Sequence, residues 1–119
     1  MNEQELKDRT KQFALRIIRL VESLPMSTVG NVIEKQLLKS GTSVGANYRS
    51  ACRGKSKADF TAKLGVVVEE SDECCYWLEL LIESGTLLKE KIEPLLREAN
   101  ELTAIFVSSI RTSQNWRNR

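Results

Sequence analysis

The sequence predicts an all-α protein, an antiparallel up-down-up-down four-helix bundle. Two observations carry that prediction. Apolar residues recur at alternating steps of three and four along four long segments. The chain of 119 residues holds only two prolines and six glycines and is rich in Leu, Glu, Lys, Ala and Ile, a balance that favours helix. A chain of this length forms one domain and can bury a core without staples.

The first helix is expected over about Asn2–Leu24. Leu6, Thr10, Phe13, Ile17, Leu20 and Leu24 form its stripe, widened by Ala14, Ile18 and Val21. Pro25 then closes it, because proline disfavours helical geometry at the residue before it. The second helix starts at Ser27 or Thr28, either of which can cap it. Its stripe reads Ile33, Leu37, Ser40, Val44, Asn47 and Ala51. Gly41 and Gly45 lie inside it, each costing about 1 kcal/mol relative to Ala. Their four-residue spacing puts them on one face, where they permit a close helix contact. One continuous helix is preferred over a break near Gly41, with Gly54 as its C-terminal cap.

The third helix opens on Ser56-Lys57-Ala58-Asp59, a capping box with Asp in place of Glu or Gln. Phe60, Leu64, Val67, Ser71, Cys74, Leu78 and Leu81 form its seam, which ends near Ser84-Gly85. The fourth runs from about Leu87 or Lys91 to Thr112 on Ile92, Leu95, Leu96, Ala99, Leu102, Ile105, Phe106 and Ile110. Pro94 fits only a first turn, which puts the regular start near Ile92. The domain therefore covers 1–112, and 113–119 reads as a polar, flexible tail. Helices of roughly 22–28 residues span about 33–42 Å, and short loops make neighbours antiparallel.

Net charge is only +2, but the charges are segregated. Lys35–Lys63 holds seven Lys or Arg and one Asp, Glu69–Glu83 holds six acids and no base, and Arg111–Arg119 holds three Arg and no acid. Opposed faces, or helices with charges complementary to their neighbours, both fit this pattern. Arg49, Arg53, Lys55 and Lys57 crowd the corner between helices two and three. A helix C-terminus favours Arg49 and Arg53 through its dipole. Lys57 begins the next helix, where a cation is unfavourable, so the corner also reads as a phosphate-contact surface on which Tyr48 stacks a base.

Catalysis has little support. The chain has no histidine, phosphate loop or dinucleotide fingerprint. Glu69, Glu70, Asp72 and Glu73 resemble a carboxylate metal cluster, but the Glu-x-x-His pairs of di-iron bundles are missing, so a solvated or salt-bridged helix face is the stronger reading. Glu70 and Glu73 flank the seam, and Lys39 or another subunit is the expected partner. Ser40 and Asn47 on a core stripe fix register first, with a subunit interface or ligand site as the alternative. Cys52, Cys74 and Cys75 are odd in number, without C-x-x-C spacing, and argue against zinc. Being adjacent, Cys74 and Cys75 are not expected to face the same core. Reduced thiols, no signal-peptide pattern and no run of about 18 apolar residues predict a cytoplasmic protein that crosses no membrane.

One set of residues carries a family resemblance. It comprises Gln36-Leu37, Ser40, Ser43-Val44-Gly45-Ala46-Asn47-Tyr48, Arg53-Gly54, Ser56, Asp59-Phe60, Lys63, Glu69-Glu70, Glu73, Trp77-Leu78 and Leu80-Leu81. It closely resembles bacterial four-helix-bundle proteins: those encoded by intervening sequences in 23S ribosomal RNA genes, and the accessory variability proteins of diversity-generating retroelements. The resemblance runs from about Phe13 to Phe106. It implies a homopentameric, barrel-like ring. For the retroelement branch it implies a basic surface that binds nucleic acid and the reverse transcriptase, and for the intervening-sequence branch no established activity. Many members have Glu-Gly where this chain has Arg53-Gly54, which makes this corner more basic, while the near-neutral total charge departs in the opposite direction.

Together these features predict a non-enzymatic, homo-oligomeric scaffold that contacts RNA or a ribonucleoprotein of the reverse-transcriptase type. No cofactor, metal or catalytic residue is expected. Phosphate contacts are expected from Arg49, Arg53, Lys55, Lys57 and Lys63, with Arg111, Arg117 and Arg119 as a flexible second patch. The oligomer interface is expected at Gly41, Gly45 and Tyr48. The alternative is a pure protein-protein interaction module, in which the acidic stripe meets a neighbouring subunit's basic corner.

Overall fold

Four helices follow the predicted order: α1 Glu3–Glu22, α2 Thr28–Cys52, α3 Lys57–Glu83 and α4 Lys89–Arg117. The computed structural model describes residues 1–117, with side chains through Gln114. The helices pack in sequence, α1 on α2, α2 on α3 and α3 on α4, and α1 closes the bundle more thinly on α4. The resulting rod measures 51 × 22 × 20 Å. Among the described residues, no helix is long and apolar enough to cross a membrane.

Side-chain caps set three of the starts. Asn2 Oδ1 accepts the Glu5 N–H at 2.8 Å, Ser27 Oγ that of Gly30 at 2.9 Å and Ser56 Oγ that of Asp59 at 3.1 Å. Each satisfies a backbone donor that the first turn leaves unpaired. The Asp59 carboxylate reaches back past the cap to accept the Lys55 N–H at 3.0 Å.

The two glycine ends differ from expectation. Gly54 does not cap α2 in a left-handed conformation; among the described residues the only positive φ belongs to Gly85. Gly54 is needed for space, because a Cβ there would lie 3.0 Å from Ala51 O and from Asp59 Oδ2. Gly85, at φ 70°, closes α3. Its N–H donates to Ile82 O at 3.1 Å and the Thr86 N–H to Leu81 O at 3.2 Å, the paired bonds of a Schellman motif.

α4 begins at Lys89, three residues before Ile92, so Pro94 sits inside the helix. The N–H it lacks would have bonded the carbonyl of Glu90, a solvent-exposed residue. The far end also runs on, past Thr112 to Arg117. Ser113 is buried, and its hydroxyl pairs with that of Thr61 at 2.6 Å, so the first turns of α3 give the end of α4 a surface to pack on.

The seams of α1 and α3 are buried except at their ends, where Leu24 and Phe60 are half-buried, and two further positions are corrected. On α2 the stripe passes through Tyr48, 5% exposed with its ring 5.2 Å from that of Phe106, while Asn47 is half-buried and donates to Ser43 O at 2.8 Å. Cys74 and Cys75 are both buried. α3 is packed on two flanks, so its buried arc is wide enough for consecutive residues. Cys74 Sγ meets Ser40 Oγ of α2, and Cys75 Sγ meets Asn100 Oδ1 of α4, each at 3.4 Å.

α2 is continuous through both of its central glycines. A Cβ on Gly41 would lie 2.7 Å from Ile17 Cγ2, and one on Gly45 would lie 3.1 Å from Thr10 Oγ1. Both glycines therefore set the approach of α1 to α2 within the chain. Around them the buried hydroxyls are bonded: Thr10 donates to Leu6 O at 2.8 Å and Ser40 to Gln36 O at 3.0 Å. Thr103 donates to Ser71 Oγ at 2.9 Å. Among the described residues no buried side-chain nitrogen or oxygen lacks a partner.

Substitution of two glycines should therefore act in opposite directions. Gly41→Val would overpack against Ile17 and is expected to cost about 1–3 kcal/mol. Gly65→Ala, in α3 with nothing within 4 Å of the new Cβ, is expected to gain about 0.5–1 kcal/mol. Urea unfolding followed by circular dichroism measures both.

Candidate nucleic-acid interface

Antiparallel packing lays the start of α1 beside the end of α2. Lys7 and Lys11 are four residues apart on α1, as are Arg49 and Arg53 at the end of α2. The two pairs face each other across an open groove of about 410 Å³, with Asp8 as its one acid and Thr42 along its wall. Gly45 also lines the groove and brings the two backbones close. Lys7 pairs with Glu3 at 3.3 Å, whereas Lys11, Arg49 and Arg53 make no ion pair among the described residues. These cations can meet an anion without first giving up a carboxylate.

The groove takes in two of the five cations expected at the corner. Arg49 and Arg53 enter the groove. Lys63 pairs with Asp59 at 3.3 Å, Lys55 is exposed in the loop, and Lys57 opens α3. Arg111 is exposed on α4 and Arg117 ends that helix, while Arg119 lies outside the described residues. Tyr48 cannot stack on a base, because its ring is held against Phe106 in the core. Within the chain Gly41 faces Ile17, Gly45 faces Thr10 and Tyr48 faces Phe106. Lys7 and Lys11 were missed, although their i, i+4 spacing and the bundle topology together place them opposite Arg49 and Arg53.

The acidic stripe lies along α3. Glu73 Oε1 accepts the Trp77 indole N–H at 3.1 Å. Partial burial, reinforced by the neighbouring charge of Glu73, raises the Glu70 carboxyl above the ordinary glutamate range, while Lys39 of α2 pulls it the other way. Lys39 thus sits on the side expected of it, without a direct ion pair. No group of three or more His, Cys, Asp or Glu among the described residues is arranged to hold a metal ion. Beside the acids, Val66 and Tyr76 are exposed, and Tyr76 meets Trp77 edge-on at 5.1 Å.

The thiols are not poised as nucleophiles. Burial pushes Cys74 up to about 12 and also raises Cys75 and Cys52, so all three stay protonated at neutral pH. What the chain offers on its surface is charge and shape: a basic groove at one end of α1–α2 and an acidic, partly aromatic stripe on α3.

The sequence matches the model of the 23S rRNA-intervening sequence protein family over residues 2–108. It is also similar to a protein of unknown function from the S23 ribosomal protein family of Bacteroides thetaiotaomicron VPI-5482, whose crystal structure was determined at 1.70 Å. That structure superposes with a TM-score of 0.85 at 38% identity, over 93% of this chain and 99% of that one. No curated protein matches the sequence.

The raised Glu70 carboxyl has a consequence for stability. A carboxyl raised on folding binds its proton more tightly in the native state, so its contribution falls as pH rises from the ordinary glutamate value through the raised one. Glu70→Gln should therefore raise the Tm at pH 7 and leave it nearly unchanged at pH 4. Thermal melts at the two pH values check this.

Proposed function

The chain belongs to the 23S rRNA-intervening sequence protein family, and from that premise we propose that it acts without catalysis, as a homo-oligomeric scaffold that contacts RNA or a ribonucleoprotein. The observation that carries this reading is the convergence of Lys7, Lys11, Arg49 and Arg53 on one solvent-open groove. The two helices fix where these cations start, so their charges converge on one groove without any backbone rearrangement. A phosphate backbone is the ligand that such an array fits. With Tyr48 buried, the groove offers no aromatic platform, and contact is to phosphates rather than to stacked bases.

Gly41, Gly45 and Tyr48 pack within the chain, so the subunit contacts of this reading draw on further apolar surface. Val66, Tyr76 and the half-buried Trp77 supply apolar surface on α3 beside the acidic stripe. The family resemblance gives a pentamer as the expected assembly. The same α3 surface also favours the second reading, a protein-interaction module with no nucleic-acid partner.

Fluorescence anisotropy of a labelled hairpin RNA, titrated at several salt concentrations, separates the two readings. Under the RNA reading, log affinity falls linearly with log salt, and Arg49→Glu/Arg53→Glu reduces the slope by about two with helicity unchanged. An absence of binding at low salt, with an oligomer that dissociates in high salt, removes the RNA reading in favour of the protein module.

A further inference from the structure

The other half of α1 carries a second cationic cleft, on the opposite flank. It lies on the α1–α4 seam, holds about 280 Å³, and is lined by Arg16, Arg19 and Lys91 over a floor of Leu20, Pro94 and Leu95. No acid lines it. None of its three cations makes an ion pair among the described residues.

The neighbouring stretch of the seam is neutralised. Arg9, two turns earlier on α1, is clamped by Glu98 at 2.6 Å and Glu101 at 2.7 Å, both from α4. α4 thus supplies carboxylates to one end of the seam and a lysine to the other. Arg19 has a local explanation, since it sits in the last turn of α1, where the helix dipole favours a cation. Arg16 and Lys91 have none: Arg16 is mid-helix, and Lys91 is in the first turn of α4, where the dipole opposes it. Three like charges held together in this way repel one another until an anion enters.

We infer that this cleft is a second phosphate-contact site, and that the RNA path crosses the outer face of α1 rather than stopping at the corner between α2 and α3. The inference rests on the RNA-contact reading above. The Lys7–Lys11 and Arg16–Arg19 pairs are centred about 13 Å apart along the α1 axis, a distance that a few nucleotides of one strand cover. Each pair borders a different flank of α1, so a backbone crossing the helix obliquely meets both clefts. Arg9 takes no part, because its guanidinium is already saturated by two carboxylates.

The test uses the full chain and a labelled RNA hairpin. Arg16→Glu/Arg19→Glu should weaken binding by 10-fold or more, on the order of one decade for two reversed contacts, and flatten the log–log salt slope by about two. The milder Arg19→Gln/Lys91→Gln, at two exposed positions, should flatten the slope in the same direction with an unchanged melting curve. A merely structural role for these residues would leave the slope alone. If both variants fold and bind as the wild type does, while Arg49→Glu/Arg53→Glu loses binding, the second site is overturned and the proposed function stands. If they change the oligomeric mass and leave RNA affinity unchanged, the cleft is a subunit contact and the inference fails. If the wild-type chain binds no RNA at low salt, the proposed function falls and takes this inference with it.

Discussion

The close contact of α1 with α2 is the constraint on which the rest depends. Ile17 and Thr10 press against Gly41 and Gly45, where a β-carbon would sit 2.7 and 3.1 Å from the facing atoms. Two glycines inside a helix weaken it locally, each by about 1 kcal/mol. The fold recovers that loss through backbone approach and the packing of Ile17, which is fully buried. The same approach brings Lys7 and Lys11 into line with Arg49 and Arg53. The groove follows directly from how tightly this pair of helices closes.

The opposite flank of α1 follows another rule. There α1 meets α4 less extensively. The chain uses side chains where it does not use backbone proximity: Arg9 spans the seam in a fork to Glu98, and the partial burial of both groups strengthens the bond relative to a surface pair. The carboxylates hold the guanidinium above its ordinary range. One flank is thus closed by glycine-mediated backbone approach, the other by a clamped ion pair. A cleft opens on each, and α1 is the element common to both.

Much of this was legible in the sequence. The three-four periodicity fixed all four helices and most of the core, and Ser27 and Ser56 were recognisable as caps from residue type and position. The errors share a cause: each needed knowledge of the packed neighbour. Asn47 and Tyr48 both lie near the apolar arc of α2, and only the facing Phe106 decides that Tyr48 goes in. Cys75 is buried because α4 covers a second flank of α3, which a single stripe does not reveal. Pro94 appeared to mark a helix start, but the bond it forfeits belongs to an exposed turn. Arg49 and Arg53 are close in sequence to Lys55 and Lys57, and the antiparallel topology also sets them beside Lys7 and Lys11 of α1.

The distribution of polar satisfaction separates what the bundle needs for itself from what it holds out to others. Inside, every buried polar side chain among the described residues is bonded. Ser40 with Cys74, Thr103 with Ser71 and Thr61 with Ser113 link neighbouring helices at three levels of the rod. Ser40, Thr61, Ser71 and Thr103 also bond carbonyls of their own helices, so these links add polar contact between helices without being the hydroxyls' only partners. Outside, the pattern is uneven: Lys7, Arg9, Lys63 and Lys89 are matched to acids, while Lys11, Arg16, Arg19, Lys35, Lys39, Arg49, Arg53, Lys55, Lys91, Arg97 and Arg111 make no ion pair among the described residues. Six of these eleven, Lys11, Arg16, Arg19, Arg49, Arg53 and Lys91, line the two clefts that flank α1. A fold that bonds its buried polar groups internally yet leaves six cations unpaired around one helix concentrates positive charge there, and an approaching anion would meet that charge without displacing a carboxylate.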